Sequence, residues 1–457
     1  MRIAIFSLAP LYEKSIMGGS QKILHELSAS LGGYGHKVKV WCSAFENNQK
    51  KFSIGSSEIY PNLLFRGKFP SPYQVSPINL IKTFKVIREA SDWADKIYLH
   101  ADGIYLRDSF SGKKIIRSFH DFIYDESIIS ALSLSAQSTI VPSDYLKHCI
   151  EATLVLSKKN IIEPIFTVPN GISFDEKPSY SAIKNNNLRE VNLLFPHRPQ
   201  IAKGVLEAIK IAVKLQSKIA KNKVNLMMPY FSNSANNDDT SLSFDQIVNI
   251  AKNEKADNII KLHQWVPYQN INRFYSMANV TICPGNFVES FGLVPLESVA
   301  NNTPAVCSLV GGFRNYTNIP AIKLFPFGDI DMAVDNILDC LEISSDDIIK
   351  SKDLISNIYS YKNMINGYEK IITSNNAIQQ KIIMKNKYNL RLAPWCYIDN
   401  DYIYNDYKSE KLFINNIGSV IGDDKTLDAR AKELDPDKIK KSKNLGYFIE
   451  DYKIEKI

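Results

Sequence analysis

The 457-residue chain is long enough for two to four domains of roughly 100–200 residues each, so a single small binding module is the wrong scale. Hydrophobic residues at 45% and charged residues at 23% exclude a wholly disordered, collagen-like or coiled-coil chain. The net charge of +7 favours anionic ligands or surfaces but is too diffuse to indicate nucleic-acid binding. Cysteines stand at 42, 149, 283, 307, 340 and 396 with no CxxC pair, which points away from a zinc site or a disulfide framework and toward a reducing cytoplasm. The apolar run at the N-terminus is short for a signal segment, and nowhere do eighteen uncharged apolar residues run together. Export and membrane spanning are therefore not expected, and peripheral membrane contact stays open.

Residues 2–7 read as a short buried strand, followed by a loop with Met17-Gly18-Gly19-Ser20 and a helical pattern through Leu24, Leu27 and Leu31. Further strands are expected at 37–41, 96–99, 115–119, 139–141 and 166–168, with helices at 78–90 and 144–153 between them. Alternating strands and helices imply a doubly wound α/β domain. The rhythm stops in the Asn-rich, linker-like stretch 176–190 and restarts with a strand at 191–195, a helix from Gly204 to about 220, and strands at 224–228, 259–262, 280–283 and 304–308. Residues 353–373 read as one or two helices. Beyond 374–380 the pattern changes: Trp395–Tyr407 suggests an aromatic hairpin turning at Asp399-Asn400, and Asp435-Pro436 suggests the start of a late charged helix. The expected role of this tail is a stabilising cap on the second domain, with a partner, oligomer or acceptor-recognition surface as the alternative.

The stretch richest in chemistry is Val288-Glu289-Ser290-Phe291-Gly292-Leu293-Val294-Pro295-Leu296-Glu297, with Asn302-Thr303-Pro304-Ala305-Val306 behind it. Upstream, Arg198 and Lys203-Gly204 follow the first strand of the second domain. A leaving diphosphate develops negative charge, and two fixed cations ahead of a helix N-terminus suit it. In isolation an Arg and a Lys in a loop are more often solvated, and for the two glutamates the bland alternative is a pair of surface carboxylates, which the surrounding Ser-Phe-Gly-Leu and Asn-Thr-Pro residues argue against. Gly18-Gly19 lacks the G-x-G-x-x-G pattern of a dinucleotide site. The pairs Asp238/Asp239, Asp329/Asp331 and Asp399/Asp401 lack a third ligand in sequence. The segment 65–90 mixes Arg66, Lys68, Lys82, Lys85 and Arg88 with Phe65, Phe69, Tyr73 and Phe84, which suits either an anionic lipid face or a helix packed on its sheet.

Together these elements resemble the retaining nucleotide-sugar glycosyltransferases of family 4, over about residues 1–375. The paired glutamates carry the resemblance, with Arg198/Lys203, Gly18-Gly19, Phe119-His120-Asp121, Val168-Pro169-Asn170-Gly171-Ile172 and Trp265-Val266-Pro267 in the expected order. The resemblance implies a GT-B fold: two doubly wound Rossmann-like α/β domains facing across a cleft, here with a small C-terminal extension. It divides the chain into an N-terminal acceptor domain at 1–180, a donor domain at 190–352, a crossover helix at 353–374 returning to the N-terminal domain, and an appended module at 375–457. It implies that Arg198 and Lys203 hold the donor diphosphate, that Glu289 contacts hydroxyls of the transferred sugar, and that Glu297 grips the ribose. Gly18, Gly19, Val266, Phe291, Gly292 and Leu293 would line the donor, His120 would lie at the reaction centre, and Asp121 would orient the ring or contact acceptor. If 291–300 is a helix, Glu297 lies about two turns along it. The implied partners are a nucleotide-sugar donor and an acceptor glycan, lipid-linked sugar, peptide or small molecule, with no nucleic acid. Neither a cofactor nor a metal is implied. A non-catalytic GT-B partner subunit and a GT-B sugar-nucleotide epimerase remain alternatives.

Overall fold

The computed structural model describes all residues except 14–15, 17, 45–49, 66–74, 104–106, 111, 158, 160, 175–188, 232–240, 267–269, 376–378, 386–388, 409, 423–424, 428–433 and 457. Most of the Asn-rich stretch, Met17, Asp238-Asp239, Pro267 and the Arg66, Lys68, Phe69 and Tyr73 part of the basic segment thus lie outside the described residues. The chain divides into one unit made of Met1–Pro169 with Lys362–Ile457, and a second made of Asn170–Tyr361.

In the second unit, six parallel strands lie in the spatial order Ile260–Gln264, Lys223–Tyr230, Glu190–Leu194, Val280–Cys283, Ala305–Ser308, Ile322–Phe325. The central strands are mostly apolar, as suits a sheet with helices on both faces. On one face the helix Val205–Lys218 buries Val205, Ala208, Ile209, Ala212 and Leu215 against Leu193, Leu226, Val280 and Val306. Alternation along the strands sends Cys283, Ala305 and Cys307 to the other face, where Leu296 and Val299 of the helix Leu293–Ala300 meet them. In chain order the strands run 3-2-1-4-5-6, so the winding reverses between Glu190–Leu194 and Val280–Cys283. Ligands of such sheets sit beyond the carboxyl ends of the strands at that reversal.

The first unit holds an eight-stranded sheet ordered Phe52–Ile54, Ser57–Leu63, Lys37–Ser43, Arg2–Ser7, Lys96–His100, Ile115–Ser118, Ser138–Val141, Ile165–Thr167, antiparallel only at the Phe52–Ile54 edge. The winding reverses between Arg2–Ser7 and Lys96–His100. The helix Pro77–Trp93 buries Thr83, Ile87, Ala90 and Ser91 and leaves Ile78 and Ile81 exposed. The 353–373 stretch is not one element. It spans the end of the helix Ser345–Ile358, in the second unit, and the helix Tyr361–Thr373, nearly all in the first. The latter is drawn close at Gly367, where a Cβ would stand 2.7 Å from Val168 Cγ1, and Glu369 Oε1 lies 3.1 Å from His36 Nε2.

The tail overturns the expected cap on the second domain, because its core belongs to the first unit. Gln380–Met384 pairs antiparallel with Tyr452–Lys456 and with Ile161–Ile162. Ile382, Leu392, Phe448 and Tyr452 are buried together with Leu154, Val155 and Ile162. Tyr145 donates to Asp406 Oδ2 at 2.9 Å. Cys396–Asp399 and Tyr402–Asn405 form the hairpin, turning at Asn400 with φ of 52°. No helix among the described residues is long and apolar enough to cross a membrane.

Candidate active site

Both loops that leave the reversal point of the second sheet carry predicted residues. The loop after Leu194 runs through His197 and Arg198 to Lys203 and Gly204, the last at φ of 92° and capping the helix Val205–Lys218. The loop after Cys283 runs through Gly285 and Phe287 to Glu289. Where they cross, backbone touches backbone: a Cβ on Gly204 would stand 2.5 Å from Gly285 N, and one on Gly285 would stand 2.3 Å from Ala202 O. Glycine is therefore required at both positions. The Phe287 N–H donates to Ala202 O at 2.8 Å. This crossing brings the Lys203 ammonium 3.5 Å from the Phe287 ring centroid and into an ion pair with Glu289 Oε1.

The Glu289 loop is fixed from the other side as well. Gly312 N–H donates to Glu289 O at 2.5 Å, and a Cβ on Gly311, which has φ of 58°, would stand 2.3 Å from the same oxygen. Gly292, at φ of 84°, caps the helix Leu293–Ala300. Its missing side chain leaves room for the Phe313 ring, which a Cβ would meet at 2.2 Å. Phe291 is buried and its carbonyl accepts from the Tyr316 hydroxyl at 2.7 Å; Leu293 is half-buried. Glu297 is the fifth residue of its helix, just over one turn from the start rather than two, because the helix begins at Leu293. Its Oε2 accepts from Tyr275 at 3.1 Å. Val266 lies half-buried just past the strand Ile260–Gln264, beside Trp265, whose ring stacks on Phe231 at 5.0 Å. Arg198 is half-buried. His197 is pushed down to about 3 by burial and by the Lys203 charge, so it is neutral at pH 7 and the cations of this loop are Arg198 and Lys203.

In the first unit, Gly18 is extended and exposed, and Gly19 opens the helix Gly19–Ser30. His120 is buried just beyond the strand Ile115–Ser118, its ring centroid 4.4 Å from that of His100. Burial and the neighbouring His100 hold its pKa well below the usual range. Burial pushes Asp121 up to about 6, against hydrogen bonds from Ser127 and from backbone groups of Ile123 and Tyr124.

Sequence reasoning thus missed Gly285, Phe287, Gly311, Gly312, Tyr275 and His100. A signal existed for two of them, since Gly311-Gly312 follows a strand much as Gly18-Gly19 does. Among the described residues, no group of three His, Cys, Asp or Glu converges as metal ligands would. Three of the carboxylates open to that reading have other partners: Asp329 caps a helix through Met332 N–H, Asp331 pairs with Lys214, and Asp401 accepts from Asn416 N–H.

Residues 176–361 match the protein family Glycosyl transferases group 1. No curated protein matches the chain. Among solved structures, sucrose-phosphate synthase from Thermosynechococcus elongatus is similar with a TM-score of 0.61 at 17% identity, over 81% of this chain and 98% of that one. Anabaena HepE in complex with UDP is similar at 0.58 and 14%, over 82% and 100%. The trehalose-phosphate synthase (UDP-forming) from Burkholderia xenovorans in complex with glucose-6-phosphate gives 0.59 and 11%, also over 82% and 100%. The fold is GT-B, with a Glycosyl transferases group 1 domain at 176–361, and these findings support a GT-B glycosyltransferase.

Proposed function

We propose that the chain transfers a sugar from a nucleoside diphosphate sugar to an acceptor hydroxyl with retention of configuration, in the manner of family 4, and without a resident metal. The observation that carries the reading is the Lys203–Glu289 pair, seated at the reversal of the second sheet beside the N-terminus of the helix Val205–Lys218. A diphosphate arriving there competes with Glu289 for the Lys203 ammonium. Arg198, Lys203 and the first N–H groups of the helix then share its charge, and the released Glu289 carboxylate accepts hydrogen bonds from sugar hydroxyls. Glu297, already an acceptor for Tyr275, is assigned the ribose, and Val266 the base.

As the sugar–phosphate bond breaks, the electron pair leaves with the diphosphate. The acceptor oxygen bonds to the anomeric carbon on the same face, and its proton passes to the departing phosphate. His120 is assigned to the reacting sugar. UDP is the first nucleotide to test, because two of the similar structures are described with it.

The test incubates the purified chain with UDP-, GDP-, ADP- and dTDP-sugars and a panel of acceptors, with and without chelator, and reads nucleoside diphosphate release and product anomer by NMR. Transfer with retention that survives chelation is expected. No release with any donor would favour a binding subunit; an epimerised sugar without acceptor product would favour an epimerase; loss of activity on chelation would overturn the metal-free reading.

A further inference from the structure

The buried His100 at the carboxyl end of the strand Lys96–His100 has no role in the reading above, yet it is wired to His120. His100 Nε2 lies 2.9 Å from the Ser20 carbonyl and 3.0 Å from Ser20 Oγ. Its Nδ1 lies 2.9 Å from the Tyr98 hydroxyl. The Tyr98 and Ser118 hydroxyls are 2.8 Å apart, and Ser118 Oγ is 3.1 Å from His120 Nε2. Tyr98 and Ser118 are fully buried and His100 is 2% exposed, so these contacts are shielded from bulk solvent.

Hydrogen positions follow from the partners. A carbonyl only accepts, so His100 Nε2 carries a hydrogen. Burial pushes His100 down to about 4, so at neutral pH its Nδ1 is bare and must accept from Tyr98. A hydroxyl has one hydrogen, and that of Tyr98 is now committed. With the Tyr98 hydrogen given to His100, Ser118 is the donor across the Tyr98–Ser118 contact and its Oγ accepts from His120 Nε2, the buried Tyr368 hydroxyl beside Tyr98 and Ser118 being a further polar group at this junction. Every member donates to the next: His120 to Ser118, Ser118 to Tyr98, Tyr98 to His100, and His100 to the Ser20 carbonyl. Buried chains aligned in this way polarise and rigidify one another. The backbone N–H of Ala101 adds a second donor to Ser118 Oγ at 3.1 Å, which fills its remaining lone pair.

We infer that His100 is a positioning residue: through Tyr98 and Ser118 it fixes His120 as the Nε2–H tautomer, with Nδ1 the accepting nitrogen, and through Ser20 it ties that choice to the glycine loop at Gly18-Gly19. The consequence for turnover rests on the proposed role of His120. The tautomer itself does not, which keeps the two readings separable.

The experiment labels the 7 histidines of the full chain with ¹⁵N and reads ring-nitrogen shifts by long-range correlation at pH 7.5. In the wild type, His100 and His120 both show protonated Nε2. Tyr98→Phe keeps the ring and removes the hydroxyl, freeing the Ser118 hydrogen to point at His120, so the His120 signal moves to the Nδ1–H form. Ser118→Ala cuts the link directly and leaves His120 a mixture. In kinetics, Tyr98→Phe lowers kcat at least tenfold with donor KM within about twofold, since the wrong tautomer impairs chemistry rather than binding. A His120 protonated at Nδ1 in the wild type, or unchanged in both variants, overturns the inference. If the wild type turns over no donor but the tautomers shift as described, the inference stands and the transferase reading falls. A merely structural network would lower the melting temperature of both variants without moving the tautomer.

Discussion

Replacing Lys203 with methionine keeps most of the side-chain volume and removes the charge, which isolates what the ammonium does. Lys203 and Glu289 are only 16% and 20% exposed. At an effective dielectric of about 20, unit charges ~3 Å apart attract by about 5–6 kcal/mol before desolvation is subtracted. Most of that is cancelled, but leaving the Glu289 carboxylate largely buried and without its partner still costs about 1–3 kcal/mol. For a unit the size of Asn170–Tyr361 this lowers the melting temperature by ~2–12 °C. The effect on turnover is separate: a fixed cation aimed at a leaving diphosphate contributes about 2.7–4 kcal/mol, or 10²–10³ in kcat. Adding Glu289→Gln divides the two roles. The double variant removes the orphaned carboxylate, so calorimetry shows the melting temperature recovering, while nucleoside diphosphate release stays at least 10²-fold down. Glu289→Gln alone frees the ammonium, so UDP affinity by titration calorimetry is kept or raised while sugar transfer falls. Two results refute the reasoning: a double variant that regains turnover, or a Lys203→Met enzyme that melts lower yet works within threefold of wild type.

Gly285→Ala sets a methyl group against the Ala202 and Lys203 backbone, which costs roughly 1–3 kcal/mol of overpacking and parts the two loops; lower melting temperature and weaker UDP binding are expected together, whereas Gly33→Ala, with nothing within 4 Å, changes neither. Stability is expected to fall on acidification from pH 6.5. Unfolded histidines take up protons near 6.5, while folded His100 waits until about 4 and His197 until about 3, so the unfolded state binds more protons throughout that window. Asp121, at about 6 when folded, and Glu207, raised by burial, work the other way but are outnumbered by His100, His120 and His197, so a urea midpoint at pH 4.5 equal to or above that at 7.5 would contradict this reading. Deleting 376–457 uncovers Leu154, Val155 and Ile162 and is expected to leave the first unit aggregating, as read by light scattering; a monomeric, cooperatively melting truncate would contradict the shared core.

What the sequence disclosed follows from how local each signal is. Parallel strands buried on both faces read as plain apolar runs, so Val280–Cys283 and Ala305–Ser308 were legible without tertiary knowledge. The pair Phe52–Ile54 and Ser57–Leu63 was not, because SEIYPNL sets two polar residues beside two apolar ones ahead of a proline and so lacks a clean two-residue alternation, and its strand character comes from pairing with Lys37–Ser43. The charged residues of the candidate site were legible by type and spacing, but what positions them was not. Gly285 is required by Ala202, more than eighty residues away in the chain, and nothing near Gly285 announces that neighbour. His100 was passed over for the same reason, since its meaning lies in Ser20, Tyr98 and Ser118, which only the sheet brings together.

The tail shows where local reading misleads. Its hairpin and late helix were legible from aromatic residues, turn residues and the Asp435-Pro436 cap, but the strands Gln380–Met384 and Tyr452–Lys456 were not, and neither was the unit on which they pack. Connectivity is a poor guide here, because the helix Tyr361–Thr373 carries the chain to the first unit before the tail begins. Once there, Gln380–Met384 finds an open edge at Ile161–Ile162, and closing an edge removes both unpaired backbone groups and an aggregation hazard. The apolar residues at the end of the helix Asp144–Leu156, Leu154 and Val155, are buried in one cluster with Ile162 and with Ile382, Leu392, Phe448 and Tyr452 of the tail. The tail therefore packs where a strand edge and apolar helix residues of the first unit accept it, and not on the unit that an expected cap on the second domain assigned to it.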